Sequence, residues 1–217
     1  MAHIHLPDGS FTIFWVLVWW IFALTLTGIA ILFTRKGEQY RRKITVAAFI
    51  TAAAFAAFLV EVPLFGGMHL NLTPLIGILV GPVLGSLVIF IVNILSAAVG
   101  HGGWGLIGAN ILVNFSEVLV AWVVFGALKK VTANLFTGAG IAALAGLFMG
   151  NLVMVAVILV SGIQGLSQPV SEVLAGLSIV VAVNLAAAVI EAFLTGSIVA
   201  YIGRVRPGIL SIDKPGP

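Results

Sequence analysis

The few charged residues of this chain are clustered, and this arrangement constrains its fold more than any other feature. Only 8% of the 217 residues are Asp, Glu, Lys or Arg, whereas a soluble domain carries about 25%. The stretches between the clusters are apolar, and an α-helix needs about 20 apolar residues to cross a hydrocarbon core of about 30 Å. The sequence therefore predicts an all-α integral membrane protein with one transmembrane domain over residues 1–217.

The basic residues predict how the chain is oriented in the plasma membrane. They fall in three clusters, at 35–43, 129–130 and 204–214. Cytoplasmic loops are enriched in Lys and Arg, so all three clusters are predicted to be cytoplasmic, and no nucleic-acid partner is expected. Residues 1–10 would then lie outside, residues 11–203 would form the helical bundle, and residues 204–217 would form a cytoplasmic tail.

A helix break at Gly81-Pro82 makes the number of crossings consistent with this orientation. If residues 73–99 crossed once, the first two basic clusters would lie on opposite sides of the membrane. Gly-Pro breaks helices, so we expect a short helix over 73–81 and a longer one over 83–99, folded as a hairpin. The short helix would rise only ~14 Å and must be sheltered by protein. About seven transmembrane helices are predicted, at 11–34, 44–62, 73–81, 83–99, 106–128, 135–162 and 173–203.

All four histidines fall on the predicted outer side of the membrane. His3 and His5 precede the first helix, whereas His69 and His101 lie in two loops. Imidazole is the commonest ligand for late first-row divalent metals. Since the chain contains no cysteine, nitrogen and oxygen would have to hold any metal.

The N-terminus offers more than its imidazole rings. If Met1 is removed, the Ala2 amine and the amide and ring of His3 supply three nitrogens to one metal. This set favours square-planar Ni²⁺ or Cu²⁺ and, less strongly, Co²⁺, with His69 as the best-placed fourth ligand. If Met1 stays, the amine, two amides and the His3 ring complete the plane without His69. A frayed end with idle histidines is the alternative.

The second helix carries small residues at a spacing of four. Ala48, Ala52 and Ala56 share one helix face. Small residues at this spacing let another helix approach closely. The face is expected to pack either inside this chain or against a partner.

Two glutamates, Glu117 and Glu191, lie inside predicted membrane helices. An intramembrane carboxylate indicates either a proton relay or a hydrogen bond between helices. No His-Glu-x-x-His sequence is present, and no helix pairs a carboxylate with a histidine, so an enzyme is not expected.

Four motifs, in order, resemble the cobalt/nickel substrate-binding subunit of energy-coupling factor (ECF) importers. They are His5-Leu6-Pro7-Asp8-Gly9, Gly66-Gly67-Met68-His69-Leu70, Val80-Gly81-Pro82, and Gly102-Gly103 followed by Ile107-Gly108-Ala109-Asn110. The similarity covers residues 3–128 and fades afterwards. It implies a six-helix substrate-binding core preceded by an extra N-terminal helix.

The resemblance also implies which residues hold the metal. The family uses the N-terminal amine, the amide and ring of an N-terminal histidine, and a loop histidine that corresponds to His69. Alignment on Pro-Asp-Gly selects His5, whereas chelation chemistry selects His3, which we take as the chelating residue with His5 as an auxiliary ligand. Residues expected to orient these ligands or to hold the N-terminal segment down are Asp8, Asn71, His101 and Asn110.

The implied function is high-affinity uptake of Co²⁺ or Ni²⁺ as cargo, with no prosthetic group. A transmembrane coupling subunit would dock on the Ala48, Ala52 and Ala56 face, cytoplasmic ATPase subunits would supply the energy, and a small accessory membrane subunit could join them. The alternatives are an ECF subunit for a vitamin-like molecule and an assembly subunit with incidental histidines. The sequence does not choose between cobalt and nickel.

Overall fold

The apolar runs form six α-helices in the residues described by a computed structural model, namely 6, 8–59, 61–62, 68–70, 72–100, 102–165 and 169–210. The helices are α1 (Ile13–Lys36), α2 (Glu38–Phe58), α3 (Thr73–Ala98), α4 (Ile107–Leu128), α5 (Leu135–Ser161) and α6 (Val170–Val205). Two-residue strands β1 (Glu61–Val62) and β2 (Met68–His69) pair between α2 and α3, and short 3₁₀ turns cover Trp104–Leu106 and Pro207–Ile209.

Apart from this strand pair, the described elements are helical, as predicted for an all-α membrane protein. Five of the described helices are long and apolar enough to cross a membrane, and α2 contains a shorter apolar stretch, Lys43–Phe58. The count of seven crossings depends on how the two halves of α3 sit in the bilayer, and it stays a prediction.

The first basic cluster differs from the predicted loop. Gly37 alone separates α1 from α2, so the basic residues of this cluster lie within the end of α1 and the start of α2 and not in a loop. Arg35 and Lys36 lie in the last turn of α1, where cations interact favourably with the helix dipole. At its other end, α2 stops at Phe58 rather than at residue 62, because residues 61–62 pair with β2.

The predicted break at Gly81-Pro82 is confirmed. Gly81 has φ 75° and ψ 178°, a conformation that suits glycine, and it interrupts the helical backbone of α3. Thr73, at the start of α3, lines the same small cavity as Asn93 and Ser96 near its end. In an unbroken helix, residues 73 and 96 would lie ~35 Å apart. The two halves of α3 therefore fold back on each other.

The first half of α3 starts at mid-height in the bundle. Its first residue, Thr73, contacts Glu117 in the middle of α4. One turn later, Gly77 lies so close that a methyl group there would sit 3.1 Å from the Cα of Val118. The short half-helix is thus surrounded by protein, as the absence of water at membrane depth requires.

The remaining helices surround this hairpin. Helix α4 packs between α3 and α5, α2 lies against α3, α6 against α5, and α1 crosses α4 and α3. Buried side chains are concentrated on α3, α4 and α5. By contrast, α1, α2 and α6 expose large apolar side chains such as Ile13, Phe49 and Phe193, as lipid-facing helices do.

Candidate functional site

Asp8 is bound to the 3₁₀ turn Trp104–Leu106, which leads directly into α4. Its Oδ2 accepts a hydrogen bond from the Trp104 amide at 3.1 Å, and its Oδ1 accepts one from the Gly105 amide at 2.9 Å. Such amides at a helix start have no partner within the helix, so a carboxylate is well suited to bind them. Gly103 leaves room for this contact, because a methyl group there would lie 2.8 Å from the Cγ of Asp8. The Asp-Gly pair also makes the turn, since Gly9 has φ 86°.

Further contacts hold the residues that follow Asp8 against α4 and α5. The Ser10 carbonyl accepts a hydrogen bond from the Gln164 amide at 2.7 Å, which joins the segment to the loop after α5. Phe11 is buried among apolar residues of α4 and α5. The Trp19 indole donates to Ser161 Oγ at 2.9 Å, anchoring the start of α1 to the end of α5. Residues 8–11 therefore lie across the end of the bundle where α4 begins and α5 ends.

The strand pair carrying His69 belongs to this part of the molecule. Phe58, the last residue of α2 before β1, lines the same cavity as Asn114 in the second turn of α4. The register pairs Glu61 with His69 and Val62 with Met68. His69 precedes Thr73 by four residues, which span at most about 14 Å. The β2 backbone is thus close to the point where α3 starts inside the bundle.

Few of the residues predicted for the metal site have described side chains. Those outside the described residues are Ala2, His3, His5, Asn71 and His101, and the side chain of His69 is likewise outside them. Asp8 makes the contacts given above, and Asn110 is buried in the first turn of α4. In the described part of the chain, no group of three or more His, Asp or Glu could hold a metal. The ligand set stays a prediction.

A polar cluster between α3 and α4 was missed by the sequence interpretation. Thr73, Asn93, Ser96 and Asn114 line one cavity and are all nearly or fully buried. The signal was present in α4, because Asn110, Asn114 and Glu117 recur at a spacing that places them on one helix face. This polar face turns towards the broken helix.

Glu117 makes a hydrogen bond between helices. The Thr73 hydroxyl donates to its Oε2. Gly150 of α5 leaves space for the carboxylate, since a methyl group there would lie 2.5 Å from the Cγ of Glu117. Glu191 is equally buried but lies on α6, two turns beyond Asn184, whose amide donates to Asn151 at 2.9 Å.

The small-residue face of α2 points away from the bundle. Ala48, Ala52 and Ala56 are exposed, and α2 packs against the bundle through its other side. The residues of that packed side are Lys43, Ala47, Ile50, Ala54 and Phe58. These alanines therefore do not pack tightly against the described residues of this chain.

Comparison with protein families identifies the chain. Residues 5–209 match the family described as "Cobalt uptake substrate-specific transmembrane region". The chain belongs to this family. The resemblance carried by the four motifs is confirmed, but the similarity does not fade after residue 128 as expected, because the match continues to residue 209.

Two curated proteins are similar to this chain over most or all of its length. "Cobalt transport protein CbiM" of Geobacter sulfurreducens is 29% identical over 233 residues, an alignment that covers 100% of this chain and 65% of the relative. CbiM 1 of Methanocorpusculum labreanum is 27% identical over 217 residues, with 95% of this chain and 91% of that protein covered. The chain thus spans slightly under two thirds of the first relative. Such relatives are named for transport rather than for catalysis.

Solved structures show the same fold. A crystal structure of a transition metal transporter superposes with a TM-score of 0.79 at 18% identity, covering 93% of both chains. A truncated transition metal transporter gives a TM-score of 0.75 at 19% identity, covering 93% of this chain and 99% of the other. At these identities the likeness establishes the helical architecture alone.

Proposed function

We propose that this chain captures Co²⁺ or Ni²⁺ outside the cell and imports it as the substrate-binding subunit of an ATP-driven ECF importer. Membership in a cobalt uptake family and relatives named for cobalt transport support the choice of cargo. The observation that carries the proposal is the attachment of Asp8, just after the predicted chelating residues, to the 3₁₀ turn that leads into α4. A disposable tail would not require a carboxylate seated on two backbone amides.

The attachment leaves the chelating end within reach of the rest of the site. His3 is five residues from Asp8, so its Cα lies within about 18 Å of that anchor. The Ala2 amine, the His3 amide and the His3 ring would supply three nitrogens in one plane, and His69 would supply the fourth. His5, Asn71, His101 and Asn110 would assist as auxiliary ligands or as groups that orient the ligands.

Glu61 is an additional candidate for the orienting role. It is the cross-strand partner of His69 in the β1–β2 pair. Metal-binding histidines commonly donate their second ring N–H to a carboxylate, which fixes the ring orientation. The sequence interpretation missed Glu61 because it placed this residue at the end of the second helix.

The exposed alanine face would dock the transmembrane coupling subunit. Ala48, Ala52 and Ala56 leave the α2 backbone accessible to another helix, and such close approach drives helix association in membranes. Cytoplasmic ATPase subunits, and a small accessory membrane subunit, would complete the importer.

The proposed orientation places the N-terminus outside and the basic clusters in the cytoplasm. Since the chain has no cysteine, single substitutions can report it directly. Met68→Cys should react with an impermeant thiol reagent added to intact cells, whereas Gln39→Cys should react only after lysis. External labelling at position 39 would overturn the orientation.

The decisive test is a titration of purified protein with Co²⁺ and Ni²⁺. One residue added ahead of Ala2 moves the amine and breaks its chelate ring while every side chain remains, so it should weaken binding as much as His3→Ala, by ~100-fold or more, about 2.8 kcal/mol. His5→Ala should weaken binding less. A tag after Pro217 serves as the control and should have no effect. Full affinity in the N-terminally extended protein would exclude the amine as a ligand.

A further inference from the structure

We propose that Glu117 is a positioning residue for the metal site, because it fixes, through Thr73, the chain segment that carries His69. This inference rests on the proposed function and adds a residue from the interior of the bundle to it. The strand pair carrying His69 is a short element, so its position depends on what holds the chain on either side.

The first observation is the place of Glu117. It lies in the middle of α4 and is fully buried. A carboxylate in that setting is costly and is usually found with specific partners. The partner that the structure shows on α3 is Thr73, whose hydroxyl donates to Oε2 of Glu117. The contact therefore ties the start of α3 to the centre of the bundle.

The second observation is the backbone immediately before Thr73. Leu72 has φ 54° and ψ 17°, a left-handed conformation that residues with a side chain rarely adopt. It is buried, and its carbonyl accepts a hydrogen bond from the Ile76 amide at 2.9 Å. Strained residues persist only where their surroundings hold them in place. Thr73, held by Glu117, supplies such a fixed point at the next residue, and His69 lies three residues upstream of Leu72.

The third observation is the fit of Glu117 against α5. A methyl group at Gly150 would lie 2.5 Å from the Cγ of Glu117, and one at Gly146 would lie 2.7 Å from its carbonyl oxygen. The two glycines bring α5 close behind the carboxylate. Glu117 is therefore confined between α5 and Thr73, which restricts the positions that Thr73 can occupy.

Glu191 is a second buried carboxylate, on a different helix, and serves as the comparison. It is as buried as Glu117, but it lies on α6, which packs mainly against α5. If the role of Glu117 were merely to stabilise the bundle, both carboxylates would behave alike when removed. If Glu117 positions the His69 segment, only its removal should affect metal binding.

The experiment compares metal affinity and thermal stability in purified variants. Glu117→Ala, Thr73→Val and Gly150→Ala each disturb the contact from a different helix, and each should weaken Co²⁺ binding by about tenfold, as loss of an orienting group does. Glu117→Gln keeps an oxygen that can accept the Thr73 hydrogen bond, so it should bind within about threefold of the wild type. Glu191→Ala should lower Tm without changing the affinity. Gly126→Ala, on α4 with open space around it, should change neither.

A second measurement is independent of metal. Spin labels at Met68→Cys and Val99→Cys report the distance between the β2 segment and the end of α3. Its distribution should broaden in Glu117→Ala and Thr73→Val and stay unchanged in Glu191→Ala. An unchanged distribution in Glu117→Ala, or an equal loss of affinity in Glu191→Ala, would overturn the inference. A wild-type protein that binds no metal would overturn the proposed function instead, and the distance distribution would still decide whether Glu117 positions the segment.

Discussion

Small residues serve opposite purposes in two regions of this molecule. Between α3, α4 and α5 they are buried, and Gly77 and Gly150 bring neighbouring backbones or the Glu117 carboxylate into close contact. On α2 the small residues Ala48, Ala52 and Ala56 are exposed. The buried set closes a core around polar groups, whereas the exposed set leaves a surface open to another helix. Cargo binding and partner docking should therefore be separable by mutation.

The most complete separation is expected on α2. Ala52→Leu should abolish co-purification with the coupling subunit and leave the affinity for Co²⁺ unchanged, because the added side chain blocks close approach of a second helix. Ala186→Leu, an exposed alanine on α6, is the matched control and should retain the partner. Pull-down from membranes followed by titration measures both properties. Weaker metal binding in Ala52→Leu would show that this face contributes to the site or to its fold.

The converse effect is expected at the loop histidine. His69→Ala should weaken Co²⁺ binding by ~100-fold or more, about 2.8 kcal/mol, because a ligand is lost from the nitrogen plane. Co-purification with the coupling subunit should persist. Metal titration and pull-down on the same preparation measure the affinity and the co-purification. Unchanged affinity would support the arrangement in which Met1 is retained and the N-terminus alone completes the plane.

A smaller effect is expected where the N-terminal segment is attached. Gly103→Ala places a methyl group 2.8 Å from the Cγ of Asp8, so the carboxylate must shift away from the Trp104 and Gly105 amides. Metal affinity should fall about tenfold, as for other groups that orient ligands. Gly126→Ala provides a control in open space, and the Tm of both variants shows whether any loss is global. If Gly103→Ala binds Co²⁺ as tightly as the wild type, the Asp8 contact does not position the chelating end.

Much of the architecture was predictable because it follows from local composition. The clustered charges and apolar runs predicted an all-helical membrane protein, and Gly81-Pro82 predicted the break in α3. Helix ends were predicted less well. Residues 61–62 pair with β2 rather than extending α2, and the basic residues after Arg35 continue as helix around Gly37. Strand pairing depends on a distant partner, so hydropathy does not reveal it.

The features of the candidate site likewise divide into those that the sequence predicts and those that only the structure shows. The sequence by itself determined the family motifs, the presence of two histidines near the N-terminus and the alanine spacing on α2, because these are properties of neighbouring residues. Only the tertiary structure decided that Asp8 binds the amides of Trp104 and Gly105, that the alanines are exposed, and that Glu117 meets Thr73. These contacts join residues far apart in the chain. Whether they form depends on how closely whole helices pack. Glycines on a neighbouring helix permit this close packing, but no pattern within one helix specifies which residues will meet.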